Sequence, residues 1–175
     1  MDPITTKRLL LVPMTIDLAD AAISGNEADF EKLGFHTHGL WPIGDLCDAL
    51  PFFKEMLAEN GPDLFGPWLI TRKHDGAIIG DIGFKGPPDE DGTIEIGFSV
   101  IPSEQRKGYC FEAAEALLAL GIADKRVHTV IAECLIDNTA SRALLMKLCF
   151  IETSRSTELI RWSYDPTKRD RGKPV

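Results

Sequence analysis

No apolar run in the sequence approaches the ~20 residues of a membrane-crossing helix, so no spanning segment is expected. Nor is there a CxxC pair: Cys47, Cys110, Cys134 and Cys149 stand far apart. Without two ligands from one turn, a cysteine metal site is not expected, and a chain of 175 residues can bury a core without disulfides. Buried free thiols are the reading. Basic charge is short as well, 19 Lys+Arg against 27 Asp+Glu for a net charge of −8. That balance argues against nucleic-acid partners, whose non-specific binding rests on phosphate neutralisation, and mildly favours cationic ones. The opening "MDPITTKRLLLVP" has no secretory hydrophobic segment, which points to the cytoplasm. Repeats and linker-like stretches are also missing, so one domain is expected over 1–175, with "DPTKRDRGKPV" (165–175) a solvated, flexible tail.

What is present alternates. "KRLLLVP" (7–13) reads as a strand closed by Pro13. "TIDLADAAIS" follows as a helix capped by Thr15, with Ile16, Ala19 and Ile23 on one face and Gly25 as its stop. "NEADFEKL" is a second helix capped by Asn26; residues 36–51 are irregular; "LPFFKEMLAEN" (50–60) is a third. Strands are expected over 66–73, 77–85 and 93–101, the first two joined by the hairpin signal "HDG". Then come an Ala- and Leu-rich helix after Gly108, a strand over 127–135, a helix over 138–150 with Ala140, Leu144, Leu145 and Leu148 on one side, and two closing strands. This order implies a mixed sheet with helices on both faces. The helix after Gly108 is apolar nearly all round, so it should be buried.

The stretch "IEIGFSVIPSEQRKGYCFEAAEALLALGIA" (94–123) carries the chemistry. A polar loop holding Arg106, Lys107 and Gly108 lies between a strand and a helix, at the carboxyl end of the strand, where α/β sheets bind ligands. The start of a helix leaves about four backbone N–H groups without intrahelical partners, and its dipole favours an anion. A phosphate fits there. Gly108 could adopt positive φ and admit a close ligand, or merely turn the chain with the basic pair solvated.

"QRKGYC" (105–110) resembles the acyl-CoA pyrophosphate loop of the GNAT superfamily of N-acetyltransferases. "TTKRLLLVPMTIDLAD", "IEIGFSVIP" and "NTASRALLMKLCFIE" resemble, in order, segments of its ribosomal-protein alanine acetyltransferase branch, and together they span roughly 5–163. The resemblance implies an α/β (α+β) fold: a mixed, mostly antiparallel sheet splayed between its fourth and fifth strands, with helices on both faces. It also implies acetyl-CoA as donor and a primary amine as acceptor, a small molecule or a protein N-terminus. Carried over, Phe98, Ser99 and Val100 would meet the pantetheine arm. Main-chain donors of Arg106, Lys107, Gly108, Tyr109, Cys110 and Phe111 would hold the pyrophosphate. Asn138 would contact the cofactor arm, although by itself it is also a plain N-cap.

Transfer needs an oxyanion donor, for which the Val100 N–H is the choice, and a base. Glu95 is the candidate base, with an exposed strand residue as its alternative; Glu112 has a dipole reason to sit in a first helical turn. Leu145 stands where many relatives carry a general-acid Tyr, which leaves Ser141 as the acid or water-positioning candidate. Cys110 and Cys149 replace the usual small residues of their motifs. Cys110 as an acyl nucleophile is set against direct transfer, the family habit. His36 and His38 offer no third metal ligand, and either could serve as an auxiliary base or be a plain loop residue. The segment 34–68 should wall the acceptor pocket. Alternatives to the enzyme are a non-catalytic acyl-CoA-binding or sensing module and a phosphate-binding α/β domain. The exposed closing strands could pair two subunits as a homodimer.

Overall fold

The computed structural model describes residues 1–168. Its elements run β1 (Ile4–Thr5), β2 (Leu9–Pro13), α1 (Ile16–Ser24), α2 (Glu27–Lys32), α3 (Asp45–Asn60), β3 (Pro67–Arg72), β4 (Ile78–Phe84) and β5 (Thr93–Val100). After a 3-10 turn, α4 (Tyr109–Ala123), β6 (Thr129–Leu135), α5 (Thr139–Lys147), β7 (Phe150–Arg155) and β8 (Leu159–Tyr164) follow. The sheet order is β1-β2-β3-β4-β5-β6-β8-β7, with every neighbouring pair antiparallel except β5–β6. Helices pack on both faces, as the alternation implies.

Local chemistry accounts for most boundaries. Thr15 accepts from the Leu18 N–H at 3.3 Å, Asn26 from Ala28 at 3.2 Å and Asn138 from Ser141 at 3.0 Å, so three helices begin on the side-chain caps expected. α3 differs. It begins at Asp45, behind Gly44, and carries Pro51 inside it, where the missing N–H costs one helical bond. Reading Pro51 as a boundary therefore placed its start too late.

Three faces also differ from expectation. In α1 the buried residues are Leu18, Ala19, Ala21 and Ala22, while Ile16 and Ile23 are exposed. In α5, Leu145 and Leu148 enter the core, but Ala140 is exposed and Leu144 only half-buried. α4 is not buried all round: Ala113, Ala114, Leu117, Leu118 and Gly121 face inward, and Leu120 and Ile122 face solvent. One sheet face can cover only one side of a helix, however apolar the other. Cys134 is buried and Cys47 exposed, with Cys110 and Cys149 between, so burial of all four thiols does not hold. In the expected tail, residues 165–168 form a turn anchored by the Asp165 N–H donating to the Cys149 carbonyl at 2.9 Å; residues 169–175 lie outside the described residues. No helix among the described residues is long and apolar enough to cross a membrane.

Candidate functional site

The sheet opens where the sequence places its loop. β5 and β6 pair only over Thr93–Glu95 and Thr129–Ile131; beyond these the strands part. With the two-residue β1 left out of the count, this is the split expected between the fourth and fifth strands. On its other side β5 is fully zipped to β4, and the Lys85 N–H donates to the Glu95 carbonyl while the Ile101 N–H donates to Ile79, both at 2.9 Å. Antiparallel pairing alternates, so residues 95, 97, 99 and 101 spend their main-chain groups on β4. Ile96, Phe98 and Val100 turn theirs toward the split. The Val100 carbonyl accepts from Gln105 Nε2 at 2.9 Å, and the Val100 N–H points the same way.

A cavity of about 500 Å³ occupies this opening. Phe98, Ser99 and Val100 line one wall, Arg106, Gly108, Tyr109, Cys110 and Phe111 the mouth, and Asn138, Ser141, Leu144 and Lys147 the wall from α5. Gly108 caps α4 with φ 80 and no side-chain bond, and Arg106 also lies at positive φ, 60. The first intrahelical bond runs from the Glu112 N–H to the Gly108 carbonyl at 3.2 Å. The amides of Tyr109, Cys110 and Phe111 precede it at the mouth.

The N-terminal strands hold this loop. Arg8 donates from Nη1 to the Lys107 carbonyl at 2.8 Å and lies 4.4 Å over the Tyr109 ring. Glu112 accepts from Thr6 Oγ1 at 2.6 Å and from the Arg8 N–H and Nε at 2.7 Å each. Burial raises the Glu112 pKa, but these donors outweigh it and the net shift is downward. Its role is to clamp, which removes it as a base candidate. Lys107 is not in the cavity wall; its amine pairs with Glu104 at 3.0 Å, and Glu104 also binds Arg72 at 2.9 Å. Arg106 lines the mouth, and Lys147, 4.2 Å over the Phe111 ring, brings a second cation to the cavity.

Among the other candidates, Asn138 both caps α5 and lines the cavity, and Ser141 lines it one turn later. Leu145 is wholly buried in the core. Glu95 lies outside the cavity wall, ion-paired with Lys85. His36 and His38 stack at 6.1 Å on an exposed loop, and the described residues contain no group of metal-ligating side chains. The Cys110 thiol is pushed up to about 12, first by burial and then by the negative charge of Asp81, so it stays protonated and is a poor nucleophile.

Sequence reasoning missed Asp81. Its Oδ2 accepts from Ser99 Oγ at 2.6 Å and from Trp41 Nε1 at 2.9 Å. Asp81 is opposite Ser99 in the β4–β5 register, and the two strands come very close there: a Cβ on Gly80 would lie 2.1 Å from the Ser99 carbonyl oxygen. Nothing local marks this pairing, which exists only once the register is known. Lys147 was legible, because Asn138, Ser141, Leu144 and Lys147 recur every three residues on one helical face.

The description "Acetyltransferase (GNAT) domain" matches residues 8–151. The chain is 41% identical over 160 residues to the uncharacterized N-acetyltransferase YjdG of Bacillus subtilis (strain 168), covering 91% of this chain and 95% of that protein. Its fold is similar to a putative GNAT-family acetyltransferase from Bordetella pertussis, with TM-score 0.68 and 20% identity over 94% of this chain and 100% of that one. It is also similar to a ribosomal L7/L12 alpha-N-protein acetyltransferase, RimL, solved in complex with coenzyme A; the TM-score is 0.66 and the identity 14%, over 93% and 97% of the two chains.

Proposed function

The chain belongs to the GNAT acetyltransferase family, and we propose that it moves an acetyl group from acetyl-CoA directly to a primary amine, with an α-amino group or another amine of low pKa as its best acceptor. The observation that carries this is the split between β5 and β6 with the first amides of α4 at its mouth. The residues present fit the donor. Amides of Tyr109, Cys110 and Phe111 suit a pyrophosphate, with Arg106 and Lys147 adding charge beside them. An extended pantetheine arm fits the main-chain groups that Phe98 and Val100 turn into the split, as one more strand would. Asn138 and Ser141 face it from α5.

The chemistry then needs few groups. The Val100 N–H, turned toward the split, would meet the thioester oxygen as it gains charge, and a preorganised donor there lowers the barrier. The protonated Cys110 supports direct transfer over a covalent acyl-enzyme. Ser141, in the cavity wall, would meet the departing thiolate or a water beside it. A thiol of ordinary pKa near 8.5 leaves without strong acid help.

Amine basicity favours the α-amine. A lysine side chain near pKa 10.4 is about 1 part in 2,500 neutral at pH 7, whereas an α-amine near 7.7–8.0 is roughly 10–15% neutral. The gap corresponds to ~3.4 kcal/mol of barrier. The name of the coenzyme A-bound relative, an alpha-N-protein acetyltransferase, agrees with this preference. Calorimetry with acetyl-CoA, coenzyme A and ATP, followed by thiol release against short peptides, polyamines and aminoglycosides, tests the reading. Micromolar binding of both CoA species, with faster release for peptides bearing a free N-terminus, is expected. Tight CoA binding without release against any amine would make the protein a sensor instead.

A further inference from the structure

We propose that Ser99 and Asp81, held in place by Trp41, form the proton relay that deprotonates the acceptor amine; this rests on the N-acetyltransferase reading above. Ser99 is the link between the two spaces involved. Its backbone belongs to the strand that borders the split, its residue lines the cavity, and its hydroxyl is committed to Asp81 at 2.6 Å. A serine hydroxyl that donates to a carboxylate keeps its lone pairs for a further donor. An ammonium entering the cavity meets such an acceptor there, with a negative charge behind it.

Trp41 fixes the carboxylate. The indole is 4% exposed, and its Nε1–H donates to the same Oδ2 that Ser99 uses. Two donors on one oxygen set the plane of the group, and Asp81 is itself only partly exposed. The loop carrying Trp41 is in turn anchored by Glu27, which accepts from the Thr37 N–H at 2.7 Å, from the Thr37 hydroxyl, and from the His38 and Gly39 amides at 3.2 and 3.3 Å. Of segment 34–68, expected to wall the acceptor pocket, Ile43 lines the cavity and Trp41 reaches Ser99 through the Asp81 carboxylate. Cys110 on α4 feels the Asp81 charge as a neutral thiol, and on the same sheet face Glu95 is ion-paired with Lys85.

The proton balance closes. The ammonium gives one proton to Ser99 Oγ as the hydroxyl proton passes to Asp81 Oδ2. The freed lone pair forms the C–N bond to the acetyl carbon, and the C–S bond breaks with its electrons on sulfur. The proton then shed by the new amide nitrogen goes to the thiolate, and Asp81 returns its own to water. Glu95, four residues back along the strand, is about 13 Å away in an extended chain and outside the cavity. A base there would not reach the nitrogen.

The test compares Asp81→Asn, Ser99→Ala, Trp41→Phe and Glu95→Gln for kcat/KM between pH 6 and 9.5 with the best peptide acceptor, and for coenzyme A affinity by calorimetry. Asp81→Asn and Ser99→Ala should each lose up to about 10-fold at pH 7, the most that the protonated share of an α-amine allows. Both losses should shrink toward pH 9.5, where the amine deprotonates unaided, while coenzyme A affinity stays within about 2-fold. Trp41→Phe should lose less, with the same pH signature. A loss constant across pH would mark a structural role and overturn the proposal, as would a pH-dependent loss in Glu95→Gln with Asp81→Asn active. Should Asp81→Asn fold poorly by thermal melt, Ser99→Ala decides alone. Wild-type protein that binds coenzyme A yet releases no thiol sinks the acetyltransferase reading and this relay with it; active wild type with unaffected variants sinks the relay alone.

Discussion

At the scale of the residue, Cys149 shows how a departure from a family pattern becomes intelligible. It follows α5 at φ 69, its N–H donating to the Met146 carbonyl at 3.1 Å, in the position after a helix where glycine is usual. A side chain with Cβ in left-handed geometry costs roughly 1–2 kcal/mol. Glycine would relieve that and lose about 0.5–1 kcal/mol to unfolded-chain freedom. Cys149→Gly should therefore stabilise the protein by about 0.5–1 kcal/mol, seen as a higher midpoint in urea with an unchanged slope. Destabilisation would mean that the cysteine packs more usefully than its half-buried state implies. The same logic explains Gly108, whose φ of 80 is what lets the loop reverse into the first turn of α4.

At the scale of the element, caps were readable because they are local: Thr15, Asn26 and Asn138 each sit at the end of their own helix and bond within it. The start of α3 was not readable, since Gly44 offers no capping side chain and Pro51 imitates a stop. The α2 loop shows what an element can do to a distant site. Glu27 is a carboxylate whose burial works against its charge and whose four donors win, holding it at about 2. Its folded pKa lies below the unfolded value near 4.3, so its contribution is fully present above about pH 4.5 and is lost as pH falls through about 2. Glu27→Gln should lower stability by about 1 kcal/mol at pH 7, the figure being reduced for solvent screening. The gap to wild type should close as melts are repeated from pH 4.5 toward 2.5. Through Trp41 the same variant should also slow turnover at pH 7 without changing coenzyme A affinity. A gap undiminished at pH 2.5 would show that shape, not charge, anchors the loop.

At the scale of the whole molecule, the sheet is two sheets sharing a short seam. β1 to β5 form one antiparallel half and β6 to β8 the other, joined through the three residue pairs between Thr93–Glu95 and Thr129–Ile131. The parallel join of β5 and β6 was legible from the strand–helix–strand order, because parallel neighbours need a crossover such as α4, whereas the split itself was expected only from the family resemblance. Contacts between segments far apart in the chain were not legible: Asp81 meets Ser99 through register and Arg8 meets Glu112 through docking, and neither pairing leaves a mark in the spacing of either segment. A cofactor arm lying in the split would supply the pairing that β6 withdraws from β5. At 100 times its Kd, acetyl-CoA should raise global stability by about 2.7 kcal/mol. Amide hydrogen exchange should slow on both sides of the opening, at Phe98 and Val100 on β5 and in the first turns of α4 and α5. Stronger protection at the α4 mouth alone, with Phe98 and Val100 unchanged, would show a ligand held by its phosphates and not threaded between the halves, and the Val100 N–H would then lose its place as the oxyanion donor.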